Sequence, residues 1–560
     1  MLGREEAWAS LDDAYDVLIV GGGVTGCGIA RDAARRGLKT ALIEMGDLAS
    51  GTSSRSSKLV HGGLRYLEHY EFSLVFEAVS ERRVLREIAP HLVRPLGFLF
   101  PVYKDSRHKL WLINAGMWLY DGLSLFRSPK VHRNLDPQEV KEEEPGLNQE
   151  GLTGAPLYFD CATDDARITL ENALDAVDHE ATVMTYVRCE TLLHDESGRI
   201  VGATVKDLLT GETKTVRADA VVNATGPWTD ETLERSASPP SNPMLRPTKG
   251  VHIVVDSARL PLTYAVVCFH PEDGRVLFAI PWGEQTYIGT TDTDFDGDPS
   301  EVHASREDVL YLLAASNDAF PSANLVPDDV IATWAGLRPL MRPMQADANV
   351  DESAVSREHQ VVIGRDGLIT IAGGKLTTYR RMAAEVVDTA VKLLRIANRL
   401  PKKLRAANTD EEPLPGAVGW PEDDEYRQVI RYIVEASGNN LSESSAEFLA
   451  SMYGMCAVDL ARIVAKDVSA AAPVVTGRPE IMAQVDWAVS SEFACEVSDV
   501  MVRRTQIFFR DADQGMSAVT RVGERMAQLL GWDEVRRAAS EEAYRSAVAD
   551  SRRWRDEAGA

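Results

Sequence analysis

Positive charge is scarce in this sequence. Of its 560 residues, 85 are acidic and 60 are basic, which gives a formal net charge of −25. Such a chain repels nucleic acid as a whole, so we expect no nucleic-acid partner. An anionic small molecule would need a local cluster of arginine and lysine. The hydrophobic fraction of 44% is ordinary for a folded protein with a large core.

Cysteine pairs and long apolar runs are also missing. The six cysteines form no CxxC pair and no cluster with zinc spacing, which predicts reduced thiols and no metal site. Residues 1–14 are acidic and lack the basic and apolar regions of a signal peptide, which predicts a cytoplasmic protein. The nearest approach to a membrane span is the uncharged stretch Leu110–Tyr120, well short of the roughly 18 apolar residues that a span requires.

A strand, a glycine-rich turn, a helix and a second strand open the chain. Tyr15–Val20 is a short apolar run, residues 25–36 have helical spacing, and Lys39–Glu44 is apolar again. This order predicts a parallel βαβ unit. Between 248 and 291, short alternating segments predict an antiparallel sheet instead.

The glycine turn after the first strand has the spacing of a dinucleotide-binding loop. Gly21 allows the tight turn, Gly23 lets a pyrophosphate approach the backbone, and Gly26 lets helix and strand pack closely. The helix N-terminus then offers free N–H groups to phosphate. Glu44 ends the second strand, where a carboxylate can bond ribose hydroxyls. The unit therefore predicts dinucleotide binding.

Two later glycine turns favour FAD over NAD as the dinucleotide. Residues 223–227 (NATGP) and 371–378 (IAGGKLTT) each follow an apolar strand. Three such turns, far apart in sequence, suit a long dinucleotide that crosses the domain. A helix start at Gly374–Thr378 would also stabilise negative charge on a reduced flavin ring.

The segment 51–66 (GTSSRSSKLVHGGLRY) places polar donors beside reactive side chains. Its predicted cofactor contacts are Thr52, Ser53, Ser54, Ser57, His61 and Gly62. His61 is a candidate base, Arg65 a guanidinium fork for an anion, and Tyr66 an orienting hydroxyl.

The fold class predicted is an α/β FAD-binding Rossmann-like domain with an antiparallel-sheet substrate domain and an all-helical C-terminal domain. Residues 1–14 are an N-terminal extension and 15–400 hold the two interleaved domains, with the substrate sheet mainly in 75–215 and 245–340. Residues 401–424, with four prolines and many charges, are a predicted linker before the helical region 425–560. Helical spacing there covers 425–436, 443–465, 479–490, 497–509 and 517–530.

The motifs SSKLVHGGLRYLEHYEF, NATGPW, KGVHIVV, FAIPWGEQTYIGTTD, GLRPL and GGKLTTYR occur in this order. Together they resemble the FAD-dependent (aerobic) glycerol-3-phosphate dehydrogenase family, from about residue 14 to the end. The resemblance implies hydride transfer from C2 of sn-glycerol 3-phosphate to flavin N5, giving dihydroxyacetone phosphate. It also implies a quinone acceptor and peripheral attachment to the inner face of the cell membrane.

The resemblance further implies roles for particular residues. Substrate contacts are implied for Arg65, Tyr66, Arg338, Lys375 and Arg357, the last in a segment that departs from the family pattern. Implied catalytic residues are His61, His252, Arg338 and Lys375, with either histidine open as the base. The full set of implied cofactor contacts is Gly21, Gly23, Gly26, Glu44, Thr52, Ser53, Ser54, Ser57, His61, Gly62, Thr225, Gly226, Gly374, Lys375, Leu376 and Thr377.

Several alternatives stay open at this point. The enzyme could use oxygen as a glycerol-3-phosphate oxidase, or oxidise amines or amino acids, or be a catalytically silent flavin-binding module. Leu110–Tyr120, with Trp111 and Trp118 and basic neighbours, would either rest in a membrane interface or be a buried helix. Arg503-Arg504 would pair with acids or approach the cofactor domain. The C-terminal helices would cap the catalytic unit or support a homodimer.

Overall fold

The computed structural model describes residues 3–63, 71–124, 129–236, 238–342, 359–401 and 403–557. Its strands are β1 (Ala14–Val20), β2 (Thr40–Ile43), β3 (Leu59–Val60), β4 (Arg94–Leu99), β5 (Val102–Tyr103), β6 (Arg133–Leu135), β7 (Leu152–Ala162), β8 (Thr182–Met184), β9 (Val187–His194), β10 (Ile200–Asp207), β11 (Thr213–Asn223), β12 (Leu245–Asp256), β13 (Ala265–Phe269), β14 (Val276–Trp282), β15 (Gln285–Gly289), β16 (Thr293–Asp294), β17 (Val330–Met341), β18 (Gln360–Ile363) and β19 (Ile369–Ala372).

The helices are α1 (Arg4–Ser10), α2 (Val24–Arg35), α3 (Phe72–Ile88), α4 (Leu110–Leu123), α5 (Pro137–Glu143), α6 (Asp165–Asp178), α7 (Thr229–Leu233), α8 (Arg306–Ala319), α9 (Tyr379–Ile396), α10 (Tyr426–Ala436), α11 (Glu443–Tyr453), α12 (Cys456–Lys466), α13 (Ala483–Ser491), α14 (Ile507–Arg510), α15 (Val519–Leu530) and α16 (Glu534–Arg552). A π-helical turn, Asp499–Arg504, precedes α14.

The first sheet has a parallel centre, with the order β18-β19-β11-β1-β2-β8. The central strand β1 pairs parallel with both neighbours, as Val17 lies opposite Ala220 on one side and Thr40 on the other. All the residues of β2 are buried, as expected where helices cover a parallel sheet. The carboxyl ends of β1, β11 and β19 therefore meet at one edge, and each is followed by a predicted glycine turn.

The second sheet is mainly antiparallel, with the order β16-β12-β15-β14-β13-β4-β7-β3 and β17 paired with β12. Together with the helical region after residue 425, the two sheets confirm the predicted fold class.

The predicted substrate-sheet segment 75–215 is partly wrong. Strands β8 to β11, between residues 182 and 223, belong to the first sheet. The first part of β11 forms an antiparallel hairpin with β10, whereas its last residues pair parallel with β1. The alternating pattern of the hairpin is the same in either sheet, so the pattern did not reveal which sheet the hairpin extends.

The predicted helix 443–465 is two helices, α11 and α12. Gly454 ends α11 with a φ of 54°, and a Cβ at this position would lie 2.1 Å from the carbonyl oxygen of Gly416. The chain turns here because Gly454 packs directly against the backbone of the 403–424 segment. That segment, predicted as a linker, lies against α2, since Arg31 donates to the carbonyl oxygens of Thr409 and Glu412.

Helix α4 includes the stretch Leu110–Tyr120; Met117 and Tyr120 on one side are buried, and the other side is open. The side chains of Trp111 and Trp118 are 71% and 57% exposed, and Leu112 and Leu119 lie on the same open side. Within the described ranges, every helix is too short or too polar to pass through a bilayer.

Candidate active site

A cleft opens at the edge where β1, β11 and β19 end. The predicted cofactor residues on its wall are Gly21, Gly23, Glu44, Thr52, Ser53, Thr225, Gly226, Gly374, Lys375 and Leu376. The structure thus brings the three glycine turns together around one space. Further wall residues that lie outside the motifs are Met45, Ser50, Arg188, Glu231 and Arg235.

The glycines of the cofactor turns are needed for different structural reasons. A Cβ at Gly26 would lie 1.9 Å from the carbonyl oxygen of Gly21, so Gly26 lies beneath the turn and lets α2 pack on β1. Gly21 has a φ of 113°, which only glycine adopts easily. At Gly23 and Gly226, by contrast, a side chain would meet little protein. A Cβ added at Gly23 would meet only Ser53 Oγ, at 3.2 Å, and one added at Gly226 would have no atom within 4 Å. The backbone is therefore open to a ligand at these two positions, as a bound pyrophosphate requires.

Glu44 joins this turn to the end of β2. Its carboxylate accepts the N–H of Gly22 at 2.6 Å and that of Gly46 at 2.8 Å. Burial raises the pKa of Glu44, and the two N–H groups only partly offset that effect. The carboxylate lies on the cleft wall, where its remaining lone pairs suit the ribose hydroxyls of a dinucleotide. The donor set and the open glycines fit FAD.

Ser54 and Ser57 do not line the cleft. Ser54 is buried, and its carbonyl oxygen accepts from the ammonium group of Lys58 at 3.2 Å. The hydroxyl of Ser57 lies 2.9 Å from Nε2 of His252. Ser57 therefore contacts the second sheet, at the side of the predicted reacting groups.

His252 is buried on β12 and its ring stacks on Trp334, with centroids 4.8 Å apart. Burial and the positive charges of Arg338 and Lys58 hold the pKa of His252 well below its usual value. The ring is therefore neutral at physiological pH, with Nε2 next to the Ser57 hydroxyl.

Arg338 lies on β17, next to Pro339 of the cleft wall. Its guanidinium donates to the carboxylate of Asp292 at 3.0 Å and to Thr290 Oγ1 at 3.1 Å. Lys375 lies on the cleft wall itself, directly before the turn Leu376–Thr378. Of the predicted cationic residues, Lys375 thus lies on the cleft wall and Arg338 lies next to a residue of that wall.

His61 and Gly62 follow β3 and are tied to the third glycine turn. The N–H of His61 donates to Thr377 Oγ1 at 3.2 Å, and Thr377 donates back to the His61 carbonyl oxygen at 3.3 Å. The N–H of Gly62 donates to the hydroxyl of Tyr120 at 3.0 Å. His61, Gly62 and Thr377 are held beside the cleft and are not part of its wall. Arg65, Tyr66 and Arg357 lie outside the described residues.

Sequence reasoning missed Lys58, which is buried behind this site. Its ammonium group lies 2.6 Å from a carboxylate oxygen of Asp165 and within 5.6 Å of the Trp334 ring centroid. Lys58 thereby adds the positive charge that keeps His252 neutral. Lys58 is part of the segment 51–66 but was assigned no role there, because a buried lysine is recognisable in sequence only when its carboxylate partner is known.

Arg503 and Arg504 approach the cofactor domain and pair there with an acid. The guanidinium of Arg504 donates to both carboxylate oxygens of Asp47, at 2.6 and 2.8 Å, and Arg503 also bonds Asp47. Asp47 lies three residues after Glu44 and is fully buried. The helical region therefore holds the loop that follows the dinucleotide-binding strand.

Comparison with known proteins identifies the family. Residues 16–380 match the model of FAD dependent oxidoreductases, and residues 407–537 match the C-terminal domain of alpha-glycerophosphate oxidase. An aerobic glycerol-3-phosphate dehydrogenase of Staphylococcus epidermidis is 36% identical over 98% of this chain and 96% of its own length. An alpha-glycerophosphate oxidase of Streptococcus pyogenes serotype M1 is 35% identical over 96% of this chain and 95% of its own length.

A solved structure agrees with these relatives. The glycerol-3-phosphate dehydrogenase of Bacillus halodurans, complexed with FAD, is 32% identical, with a TM-score of 0.80 and coverage of 98% of this chain and 97% of that one. The cofactor of the present chain is FAD, as its cleft and its family both require. The chain belongs to the family of FAD-dependent glycerol-3-phosphate dehydrogenases and oxidases.

Proposed function

We propose that this protein oxidises sn-glycerol 3-phosphate to dihydroxyacetone phosphate and passes the electrons to a quinone. The observation that carries the proposal is that Lys375 lies on the wall of the cofactor cleft, and that Arg338, next to the wall residue Pro339, is close enough to His252 to help keep that histidine neutral. FAD, when bound, supplies at N5 the acceptor for the hydride that leaves C2 of the substrate.

The cationic residues would hold the substrate. In a chain of net charge −25, a phosphate dianion needs local positive charge, and Arg338 offers a planar fork of N–H donors. Asp292 and Thr290 hold that fork in place through hydrogen bonds of 3.0 and 3.1 Å. Lys375 would stabilise negative charge that develops on the substrate hydroxyl.

We assign the role of base to His61. A base works best when its pKa lies near the working pH, and the pKa of His252 is far below that range. The Nε2 of His252 is already next to the Ser57 hydroxyl, and its ring is enclosed by Trp334. His61 is only partly buried, and its backbone is fixed to the turn that carries Lys375. His252 would act as a neutral residue that orients its neighbours.

Replacing Arg338 with Gln should weaken binding of glycerol 3-phosphate by about 10- to 100-fold, the worth of a hydrogen bond to a charged group. Binding would be measured from the substrate dependence of anaerobic flavin reduction. Glycerol, which has no phosphate, should reduce the variant and the wild type equally slowly. The control is Arg259→Gln, whose guanidinium pairs with Asp329 on the surface. Equal affinity of Arg338→Gln and wild type would remove Arg338 from the substrate site.

The exposed side of α4 supports a quinone acceptor in a membrane. Trp111, Leu112, Trp118 and Leu119 form one apolar surface on this helix, and Phe76 of α3 is exposed as well. Contiguous exposed apolar residues of this kind mark binding to another apolar phase. A quinone dissolved in a bilayer is an acceptor that such a surface would bring near the enzyme.

The double substitution Trp111→Ser and Leu119→Ser should abolish flotation of the protein with liposomes. Burial of each side chain in lipid contributes about 1.5–3 kcal/mol, so the loss corresponds to more than about 100-fold in partitioning. The variant should still bleach its flavin with glycerol 3-phosphate, because α4 is outside the cleft. Val535→Ser, on an exposed residue of α16, serves as the control. If the wild type itself remains in the soluble fraction, membrane attachment is refuted.

The acceptor is tested by comparing quinone and oxygen in the same preparation. The oxidase alternative has specific support, since a relative named as an oxidase is nearly as similar as one named as a dehydrogenase. We expect dihydroxyacetone phosphate to form with a soluble quinone under nitrogen, and much more slowly with oxygen alone. Hydrogen peroxide formed in equal amount to dihydroxyacetone phosphate, with no quinone reduction, would identify an oxidase instead.

A further inference from the structure

A second cavity, of about 960 Å³, lies away from the cofactor cleft. Its walls are the turn between β14 and β15, the start of α11, and the loop 473–479. The cavity is therefore at the junction of the second sheet and the C-terminal helices. Its volume is within the range of about 300–1,000 Å³ that is typical of small-molecule sites.

Arg510, the last residue of α14, presents to this cavity a guanidinium that no carboxylate of the described residues contacts directly. Its Cζ lies 4.2 Å from the centroid of the Trp282 ring, so the group is stacked on an aromatic face. Its Nε is buried and has no hydrogen-bond partner among the described residues. Within the same part of the chain, no carboxylate comes within 4.0 Å of the group, whereas most buried arginines of this protein have one.

The other arginines of the cavity wall are already paired. Arg478 forms two bonds of 3.1 Å with Glu480, and Arg94 lies 2.8 Å from Asp424. Burial lowers the pKa of Arg510 to about 10, which leaves the group charged at neutral pH. The carboxylates of Glu480, Asp164 and Glu284 act on Arg510 only at longer range. A partly buried cation with no anion in direct contact is unfavourable, and an anionic ligand would relieve this cost.

We propose that this cavity binds a phosphate-type oxyanion through Arg510. The planar guanidinium matches the oxygen atoms of phosphate, and its stack on Trp282 fixes its orientation. The same wall carries the carboxylates of Glu284, which lies 3.7 Å from Arg478, and Glu447. Its hydroxyl and amide donors are Asn440, Ser442, Ser444, Ser445 and Ser451. The source of the phosphate is either inorganic phosphate or the phosphate group of a small monoester. The site is separate from the cofactor cleft and does not depend on which substrate is oxidised there.

Isothermal titration of the FAD-loaded enzyme tests the proposal, with inorganic phosphate in one series and glycerol 2-phosphate in another. Arg510→Met keeps an apolar side chain over Trp282 and removes the charge. Wild type and variant both bind the ligand at the active site, so a site at Arg510 appears as a difference between them in stoichiometry or affinity. We expect the variant to bind one ligand fewer, or to bind it at least about 10-fold more weakly. The series with the larger difference identifies the source.

The matched control is Arg94→Met, which removes an equal charge from the same cavity wall. Because the guanidinium of Arg94 is already paired with Asp424, this variant should keep the proposed site at Arg510. Equal stoichiometry and affinity for wild type and Arg510→Met in both series would overturn the proposal. Thermal unfolding gives an independent measurement. In phosphate-free buffer Arg510→Met should unfold at the same temperature as wild type or at a higher one. Added phosphate should raise the unfolding temperature of wild type more than that of the variant. A variant that is less stable without phosphate would show that Arg510 has a structural role instead.

Discussion

Replacing His61 with Asn is expected to slow reduction of the bound flavin by glycerol 3-phosphate about 10²- to 10⁴-fold, the usual contribution of a general base. Asn keeps the size and polarity of the ring but accepts no proton. The backbone bonds of His61 to Thr377 do not involve the side chain, so the fold and the FAD content should not change. The measurement is anaerobic stopped-flow absorbance of the flavin.

His252→Asn is the matched comparison. Because His252 is neutral, enclosed and next to Ser57, its replacement should slow flavin reduction less than about 10-fold. It should also leave the pH dependence of the reaction unchanged, whereas His61→Asn should remove the acidic limb, the loss of activity at low pH that protonation of a histidine base causes. The reverse order of the two effects would transfer the role of base to His252. Full activity in both variants would exclude both.

Replacing Asp47 with Asn is expected to reduce the free energy of unfolding by about 3–5 kcal/mol, the cost of breaking a buried ion pair by removing one partner. The substitution removes the carboxylate that bonds Arg504 through both oxygens, and the buried guanidinium keeps only the more distant carboxylate of Glu492, at 3.7 Å. The same loop holds Glu44, and Ala49 donates its N–H to the carbonyl oxygen of Gly22 at 3.0 Å. FAD should therefore dissociate more readily from the variant.

Urea unfolding followed by circular dichroism, with flavin fluorescence for FAD release, measures both effects. Asp459→Asn is the control, because its partner Arg462 lies on the surface and such a pair contributes less than about 1 kcal/mol. If Asp47→Asn and Asp459→Asn lose the same free energy of unfolding, the contact between the helical region and Asp47 does not stabilise the protein.

The pH dependence of this contact has a defined sign. Burial alone would raise the pKa of Asp47, but attraction to Arg504 and Arg503 outweighs it and lowers the pKa below its usual value. The stabilisation is therefore complete above the unfolded value of about 3.9 and is lost only as the pH falls through the lower folded value. At neutral pH the contact is fully formed.

The local elements could be predicted from sequence because their signals are local. The strand, the glycine turn and α2 follow from a short apolar run and from glycine spacing, and the structure has them within one or two residues. The three glycine turns meet because parallel strands end at the same edge of a sheet. That geometric rule needs no knowledge of distant contacts.

The features that escaped prediction depend on distant partners. The sheet that receives the hairpin of β10 and β11 is decided by β1, whose residues pair with β11 residues 203 positions later, such as Ala14 with Arg217. The break at Gly454 is decided by contact with Gly416. Arg504 pairs with Asp47 across 457 positions, and Lys58 with Asp165 across 107. In each case the sequence near one partner carries no information about the other.

The central claim is that FAD in this cleft is reduced by a phosphorylated polyol and not by its unphosphorylated or amino-acid counterparts. Anaerobic stopped-flow reduction with glycerol 3-phosphate, glycerol and glycine, each mixed with the same FAD-loaded preparation, tests it most directly. We predict rapid, saturable bleaching with glycerol 3-phosphate and reduction at least about 100-fold slower with the other two, because neither offers a phosphate to the guanidinium. Equal rates for glycerol and glycerol 3-phosphate, or faster reduction by glycine, would contradict the account.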